Sequence, residues 1–241
     1  MLYKYRKYGE ELNTHDLAKF FAIAFMLVDH IGIAFYEDEL WFRVVGRASM
    51  PIWFFLIGYS RSTKVDLTIT IAAIFMVFAS MMLSYRFLPL DILTSIIFCR
   101  LTLSLIDNKG GVENSLVTIL LLSIVFQFPI NLFLAYGTQG LLFAVLGRLV
   151  RSEEKKKWLF FIVTLIYVTI QIINSGFDFN QSVVLTFLIS ALILSLYFFR
   201  LKKLGECVVF TPIKFLARYS LYIYVIHFTG LLLILWWVST G

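Results

Sequence analysis

Nine runs of apolar residues, separated by short polar segments, restrict the fold of this chain more than any other feature of its sequence. A helix of roughly 20 apolar residues crosses a hydrocarbon core about 30 Å thick. Backbone polar groups inside lipid have to be hydrogen-bonded internally, so such runs form helices. The sequence therefore predicts an all-α polytopic membrane protein with about nine transmembrane helices. They are expected at 17–36, 43–60, 66–83, 88–106, 114–135, 138–150, 157–173, 181–199 and 219–238.

Composition leaves no room for a separate soluble domain. Of the 241 residues, 60% are hydrophobic and only 15% are charged, whereas a soluble domain carries about 25% charged residues. We expect a cytosolic N-terminal segment, 1–16, followed by one transmembrane domain, 17–241. Cys99 lies in an apolar run and Cys207 in a basic loop, so no disulfide is expected, and no ligand spacing predicts a metal site.

The distribution of Lys and Arg predicts the orientation of the chain, because cytosolic loops are enriched in these residues. With the N-terminus in the cytosol, sixteen of the 21 basic residues lie on the cytosolic side, and only Arg43 and Arg86 lie outside. We therefore expect a cytosolic N-terminus and an extracytoplasmic C-terminus, and interpret the net charge of +6 as a topology signal. It does not indicate a nucleic-acid partner. The sixteen are Lys4, Arg6, Lys7, Arg61, Lys64, Lys109, Arg148, Arg151, Lys155, Lys156, Lys157, Arg200, Lys202, Lys203, Lys214 and Arg218.

Ionisable side chains within the predicted helices are the candidate functional residues. Each costs about 2.5 kcal/mol or more at membrane depth, so it usually faces the interior of the helix bundle and has a partner. The chain retains six of them: Lys19, Asp29, His30, Arg47, Arg100 and His227.

Lys19 and His30 are expected on one face of the first helix. Eleven residues at about 100° each bring them within roughly 20° of three full turns, about 16 Å apart along the axis. Lys19 then lies near the cytosolic surface and His30 deep in the membrane, where a neutral imidazole is a suitable general base. The alternatives are a snorkelling anchor for Lys19 and a helix–helix hydrogen bond for His30.

Asp29 lies about 100° around the helix from His30 and is expected to face the second helix, where we predict an ion pair with Arg47. A purely structural pair is at least as plausible as a catalytic role. Pro51 is expected to kink the second helix and to free a backbone carbonyl near Arg47. Pro129 predicts a second kink, in the fifth helix.

Two further groups extend the candidate site. His227 shares a stripe of the last helix with Ser220 and Tyr224, seven and three residues earlier. Arg100, with Lys19, Arg61 and Arg148, is a candidate for a basic cytosolic mouth, because Arg binds phosphate through directional hydrogen bonds. For Arg61 and Arg148 the ordinary role of positive-inside loop residues is the favoured interpretation.

Five segments of the chain resemble the TraX family, in the same order along the sequence. The namesake of this family N-acetylates conjugative F-type pilin. The Lys19-x(10)-His30 spacing is also similar to the Arg/Lys-x(10)-His pattern of the acyltransferase-three family of membrane O-acyltransferases. The five segments are KFFAIAFMLVDHIG (19–32), GRASMPIWF (46–54), DILTSIIF (91–98), YGTQGLL (136–142) and YIYVIH (222–227).

The resemblance implies a multi-pass acyltransferase of the bacterial inner membrane, surrounded by membrane lipids. It would move an acetyl group from cytosolic acetyl-CoA to an amine or hydroxyl of an acceptor protein (pilin-like) or glycan. His30 would be the catalytic base, His227 a second site residue and Lys19 part of the donor end, with Arg100 helping to hold coenzyme A. His227, Tyr224 or Arg47 would stabilise the oxyanion, and coenzyme A is expected between the first, fourth and ninth predicted helices.

Two other functions are compatible with the same residues. Buried Asp, His and Arg side chains also build proton-coupled pathways, so a small-molecule transporter or flippase is the main alternative. The chain lacks the obvious paired halves of many transporters, which counts against that function. A non-catalytic membrane scaffold is the third possibility, and it requires neither His30 nor His227.

Overall fold

The computed structural model describes residues 12–60, 62–83, 90–108, 111–153, 156–205 and 211–240. Several predictions concern residues outside these ranges. They are most of the N-terminal segment 1–16, the start of the helix expected at 88, and the positions of Arg61, Arg86, Lys109, Lys155 and Cys207.

The described residues form twelve helices and two short strands, which confirms the all-α class apart from the strands. The strands are β1 (Leu12–Asn13) and β2 (Lys203–Gly205). The helices are α1 (Thr14–Phe35), α2 (Trp41–Gly46), α3 (Ser49–Tyr59), α4 (Leu67–Met82), α5 (Ile92–Asn108), α6 (Gly111–Val125), α7 (Gln127–Asn131), α8 (Gln139–Arg151), α9 (Lys157–Ser175), α10 (Phe179–Tyr197), α11 (Thr211–Arg218) and α12 (Ser220–Thr240).

Four of the described helices, α1, α9, α10 and α12, are long and apolar enough to cross a membrane. Helices α4 and α6 contain shorter apolar stretches. The count of nine transmembrane helices and the orientation of the termini stay predictions.

The start of α1 is fixed by a side-chain cap and by the small sheet. The Asn13 side chain accepts a hydrogen bond from the Asp16 backbone N–H, as expected of an N-cap residue. Strand β1 pairs antiparallel with β2, and the Thr14 N–H donates to the Lys202 carbonyl at 3.0 Å. The first helix is thereby joined to the segment that follows α10.

Pro51 breaks the second predicted helix into α2 and α3, as the sequence predicted. Proline has no N–H, and its ring clashes with the carbonyl four residues earlier, which is that of Arg47. The chain leaves the helix between Gly46 and Ser49. The freed Arg47 carbonyl accepts a hydrogen bond from the Tyr167 hydroxyl at 2.7 Å. Around Pro129 the predicted fifth helix is likewise interrupted, between α6 and α7.

The helices α3 and α8 pack directly against each other in the core. With 11 and 13 residues, they extend only about 16 and 20 Å, less than the thickness of a bilayer core. Small residues allow their backbones to approach closely. A Cβ at Gly147 would lie 2.0 Å from the Phe55 carbonyl oxygen, and a Cβ at Gly58 would lie 1.7 Å from that of Ala144.

The close packing of α3 on α8 predicts opposite effects for the same substitution at two glycines. Gly147→Ala places a methyl group where no space exists and should lower stability by about 1–3 kcal/mol. Gly230→Ala in α12 meets no atom within 4 Å and should be neutral or raise stability by up to about 1 kcal/mol through helix propensity. Thermal unfolding of the two variants in detergent measures the difference. Equal unfolding temperatures would contradict the packing.

Candidate functional site

Two histidines 197 residues apart meet in the bundle interior. Nδ1 of His30 in α1 lies 2.7 Å from Nε2 of His227 in α12, and the rings are nearly parallel, with centroids 5.0 Å apart. Both side chains are half-buried. The structure thus brings together two residues that the sequence proposed separately.

The hydrogen bonds assign the tautomers of the pair. Nδ1 of His227 lies 2.9 Å from the Ile223 carbonyl oxygen, which can only accept, so this nitrogen carries a proton. In a neutral His227, Nε2 is therefore the acceptor, and Nδ1 of His30 donates to it. The Nε2 of a neutral His30 is left with a free lone pair, which is the form a general base requires.

His30 lines a cavity of about 170 Å³, here named the histidine cavity. Asp29 and Asp91 give it two carboxylates, and Ser80 and Tyr136 add hydroxyl groups. Its apolar lining includes Met26, Met76, Val77, Ile92, Ala135 and Phe228, and Gly46, Ser49 and Tyr224 complete it. The cavity therefore combines a base, two acids and an apolar surface in one small volume.

Asp29 faces the break between α2 and α3, as predicted, but its direct partner differs. A Cβ at Gly46 would lie 2.3 Å from Asp29 Cβ, so the two backbones touch there. The Asp29 carboxylate lies 3.5 Å from Nε of Arg43. Arg47, the predicted partner, is near enough for its charge to act on Asp29, but its guanidinium donates to the Ser175 hydroxyl at 3.3 Å. The turn at Pro51 directs Arg47 toward α9 and leaves Arg43, one helical turn earlier, beside the carboxylate.

Asp91 reaches the same cavity from the start of α5. Its Oδ1 accepts hydrogen bonds from the Thr94 backbone N–H and hydroxyl, both at 3.1 Å, which makes Asp91 the cap of that helix. Its Oδ2 lies 3.5 Å from the Tyr224 hydroxyl, so the hydrogen bond that Oδ2 accepts from this hydroxyl is long and weak. Backbone pairing of Leu90 with Leu134 places this segment beside the loop that carries Tyr136.

A second cavity, of about 440 Å³, lies at the Lys19 end of α1 and is here named the basic cavity. Lys19, Arg100, Arg218 and His15 line it, together with one acid, Asp66. Lys19 and Arg100 are close enough for their charges to repel. Nη1 of Arg100 donates to the Lys64 carbonyl at 2.7 Å, while its Nε is buried with no hydrogen-bond partner among the described residues. Such a concentration of cationic donors suits a phosphate-bearing ligand.

The two cavities adjoin through side chains from three helices. Met26 of α1, Ile92 of α5 and Tyr224 of α12 line both of them. Met26 is one turn from His30 on the Lys19 side, and Tyr224 is one turn from His227. The stripe predicted on the first helix is thus present, with Lys19 at one cavity and His30 at the other.

Arg148 has a structural role outside both cavities. It donates to the Ser60 carbonyl at 3.0 Å and pairs with Asp107. Arg151 donates to the Tyr59 carbonyl at 2.6 Å. These contacts satisfy the C-terminal carbonyls of α3. The structure therefore does not bring Arg148 into the basic cavity, and its role as a positive-inside residue stays a prediction.

The lining residues that sequence reasoning missed include His15, Arg218 and Asp91. His15 stands one turn before Lys19, so helical spacing was the available signal. Arg218 ends α11, a short helix that was not predicted. Asp91 stands three residues before Thr94, in the position of a helix cap. Among the described residues, no group of three or more His, Cys, Asp or Glu side chains is placed to hold a metal ion.

Comparison with known proteins gives two findings. A family model described as TraX protein matches residues 14–238 of the chain. An uncharacterized protein of Rickettsia prowazekii (strain Madrid E) is 26% identical over 227 residues, covering 89% of each chain. No solved structure matches.

The two oxygens of Asp91 predict that its capping role and its charge can be separated. Asp91→Ala removes the cap of α5 and should lower stability by about 1 kcal/mol. Asp91→Asn keeps a capping oxygen and should unfold at nearly the wild-type temperature, although the charge in the cavity is lost. Thermal unfolding in detergent compares the two variants, and equal destabilisation would show that the cap is not what Asp91 supplies.

Proposed function

We propose a function from the premise that this chain belongs to the TraX protein family. The family is associated with pilin acetylation. The proposal is that the protein is an integral membrane acyltransferase, which moves an acetyl group from acetyl-CoA to an amine or hydroxyl of an acceptor such as a pilin-like protein or a glycan. The observation that carries it is the position of the His30–His227 pair beside the junction of the two cavities.

The basic cavity is the proposed site of the nucleotide end of coenzyme A. Lys19, Arg100 and Arg218 supply positive charge to its phosphates, and His15 adds a donor. Trp53 in the same lining offers an aromatic face to the base. The pantetheine arm would run along α1 past Met26, so that the thioester lies at His30.

His30 Nε2 is the proposed general base. It takes the proton of the acceptor N–H or O–H while the acceptor atom bonds to the thioester carbonyl carbon. The C–S bond then breaks, and the coenzyme A thiolate takes the proton from His30. His227 acts through His30, because its Nε2 keeps the other ring nitrogen protonated and shares the positive charge. Tyr224 is the proposed donor to the oxyanion. Arg47 receives no direct role, since it contacts Ser175.

The acceptor is proposed to enter the histidine cavity from the end that contains Asp91 and Tyr136. The proposal takes its orientation from the Lys and Arg distribution, which favours that end on the outside and the basic cavity on the cytosolic side. The acetyl group would then pass from a cytosolic donor to an acceptor in the outer half of a bacterial inner membrane. A transporter is the competing proposal, and it requires no binding of coenzyme A.

Replacing each histidine by alanine should give three different results in an assay of acetyl-CoA turnover, followed as release of the coenzyme A thiol. His30→Ala should lower kcat by about 10²–10⁴-fold, because the base is lost. His227→Ala should lower kcat less, because His30 remains but its tautomer is no longer fixed. His15→Ala should raise KM and leave kcat near the wild-type value. If well-folded His30→Ala turned over acetyl-CoA at the wild-type rate, the proposed mechanism would be wrong.

Charge removal in the basic cavity should weaken binding of coenzyme A. Arg100→Gln loses a charge-assisted hydrogen bond worth about 1.5–3 kcal/mol, so Kd should rise about 10–100-fold. Its dependence on salt concentration should also become weaker. Lys157→Gln is the matched control, since it removes an exposed charge at the start of α9, in a groove that does not share residues with the basic cavity. Titration with radiolabelled coenzyme A at several salt concentrations measures the Kd of each variant. An equal Kd for Arg100→Gln and Lys157→Gln would contradict the proposed donor site.

A further inference from the structure

Apart from the Ser80 and Tyr224 hydroxyls, the part of the histidine cavity that α4 and α12 supply is an apolar surface. Met76 of α4 is 1% exposed, and its Sδ accepts a hydrogen bond from the Thr229 hydroxyl at 3.8 Å. The Phe228 ring lies 5.1 Å from the His30 ring and stacks on Tyr224 at 5.8 Å. Val77 extends the same surface. Ring packing and the Thr229 contact therefore hold this wall in one place.

The geometry of the donor determines where a transferred acyl chain lies. If coenzyme A occupies the basic cavity, its arm passes Met26 and Tyr224, and the thioester carbonyl is at His30. The carbon atoms beyond that carbonyl must then enter the histidine cavity. The cavity has only about 170 Å³, compared with about 440 Å³ for the basic cavity, and the acceptor group has to share it.

An alkyl chain in this cavity has one favourable surface. Asp29, Asp91 and Tyr136 line the remainder with polar groups, and contact with a chain would remove water from them without a hydrogen bond in return. The apolar wall carries no such penalty. Growth of the chain along that wall is limited by Met76, whose side chain is already packed among buried apolar residues.

We propose that Met76, held by Thr229, sets the maximum length of the acyl group that the protein transfers. This inference rests on the proposed acyltransferase function and adds a specificity-determining residue to it. Acetyl fits between His30 and the wall, whereas a chain several carbons longer meets the Met76 thioether. Shortening this side chain should open space for the longer chain without altering the base.

The test compares acetyl-, butyryl- and hexanoyl-CoA as donors for the full-length protein in liposomes, with kcat/KM obtained from thiol release. Met76→Ala should raise the hexanoyl-to-acetyl ratio at least about tenfold, the discrimination expected of a few methylene groups in an apolar pocket. Met82→Ala is the matched control, because Met82 lies on the same helix and is 61% exposed. Its ratio should equal that of the wild type. Met76→Val, which retains more packing, replaces Met76→Ala if the latter does not fold.

The possible outcomes distinguish a failure of the role proposed for Met76 from a failure of the proposed acyltransferase function. A folded Met76 variant that turns over acetyl-CoA with an unchanged ratio overturns the role of Met76 and leaves the acyltransferase function standing. An equal change in Met82→Ala overturns it as well. If the wild-type protein turns over none of the three donors, the proposed function itself fails, and the inference fails with it.

Discussion

The hydrogen bond between His30 and His227 is the contact on which the site depends. It joins the first long helix of the chain to the last, and it satisfies two polar groups that would otherwise be unpaired in an apolar bundle. The same contact sets the tautomer of His30, because the Ile223 carbonyl fixes the proton on the far side of His227. This one hydrogen bond thus connects α1 to α12 and also sets the tautomer of the proposed base, His30.

The interrupted helices hold the other side of the site in place. Pro51 ends α2 early, which lets Gly46 touch Asp29 and turns the Arg47 carbonyl toward Tyr167. Beyond the break, the Ser49 hydroxyl donates to the Ala22 carbonyl at 2.8 Å and ties α3 to α1. On the side of α3 that faces α8, the close glycine contacts between these two helices hold α3 in position. These contacts position Gly46, Ser49 and Asp29, which line the histidine cavity.

The features that the sequence predicted correctly each concern a single segment of the chain. A rotation of about 100° per residue was enough to place Lys19 and His30 on one stripe, and the chemistry of proline was enough to locate the break before Pro51. Contacts between residues far apart in the sequence could not be predicted from these local rules. The pairing of His30 with His227 and the choice of Arg43 over Arg47 depend on how helices dock. The contribution of Asp91 depends on the pairing of Leu90 with Leu134. Residue types alone do not determine any of these contacts.

The opposite character of the two cavities gives the proposed reaction a direction. Lys19, Arg100 and Arg218 attract a polyphosphate at one end of the site, while Asp29 and Asp91 repel it from the other. Met26, Ile92 and Tyr224 lie between the two cavities. In the proposed reaction, the charged end of a coenzyme A thioester would therefore remain in the basic cavity, and its uncharged end would reach His30. In the same proposal, the acceptor approaches the thioester from the Asp91 side. This arrangement of charge supports the proposed transfer across the site, in which the donor would not have to move through the protein.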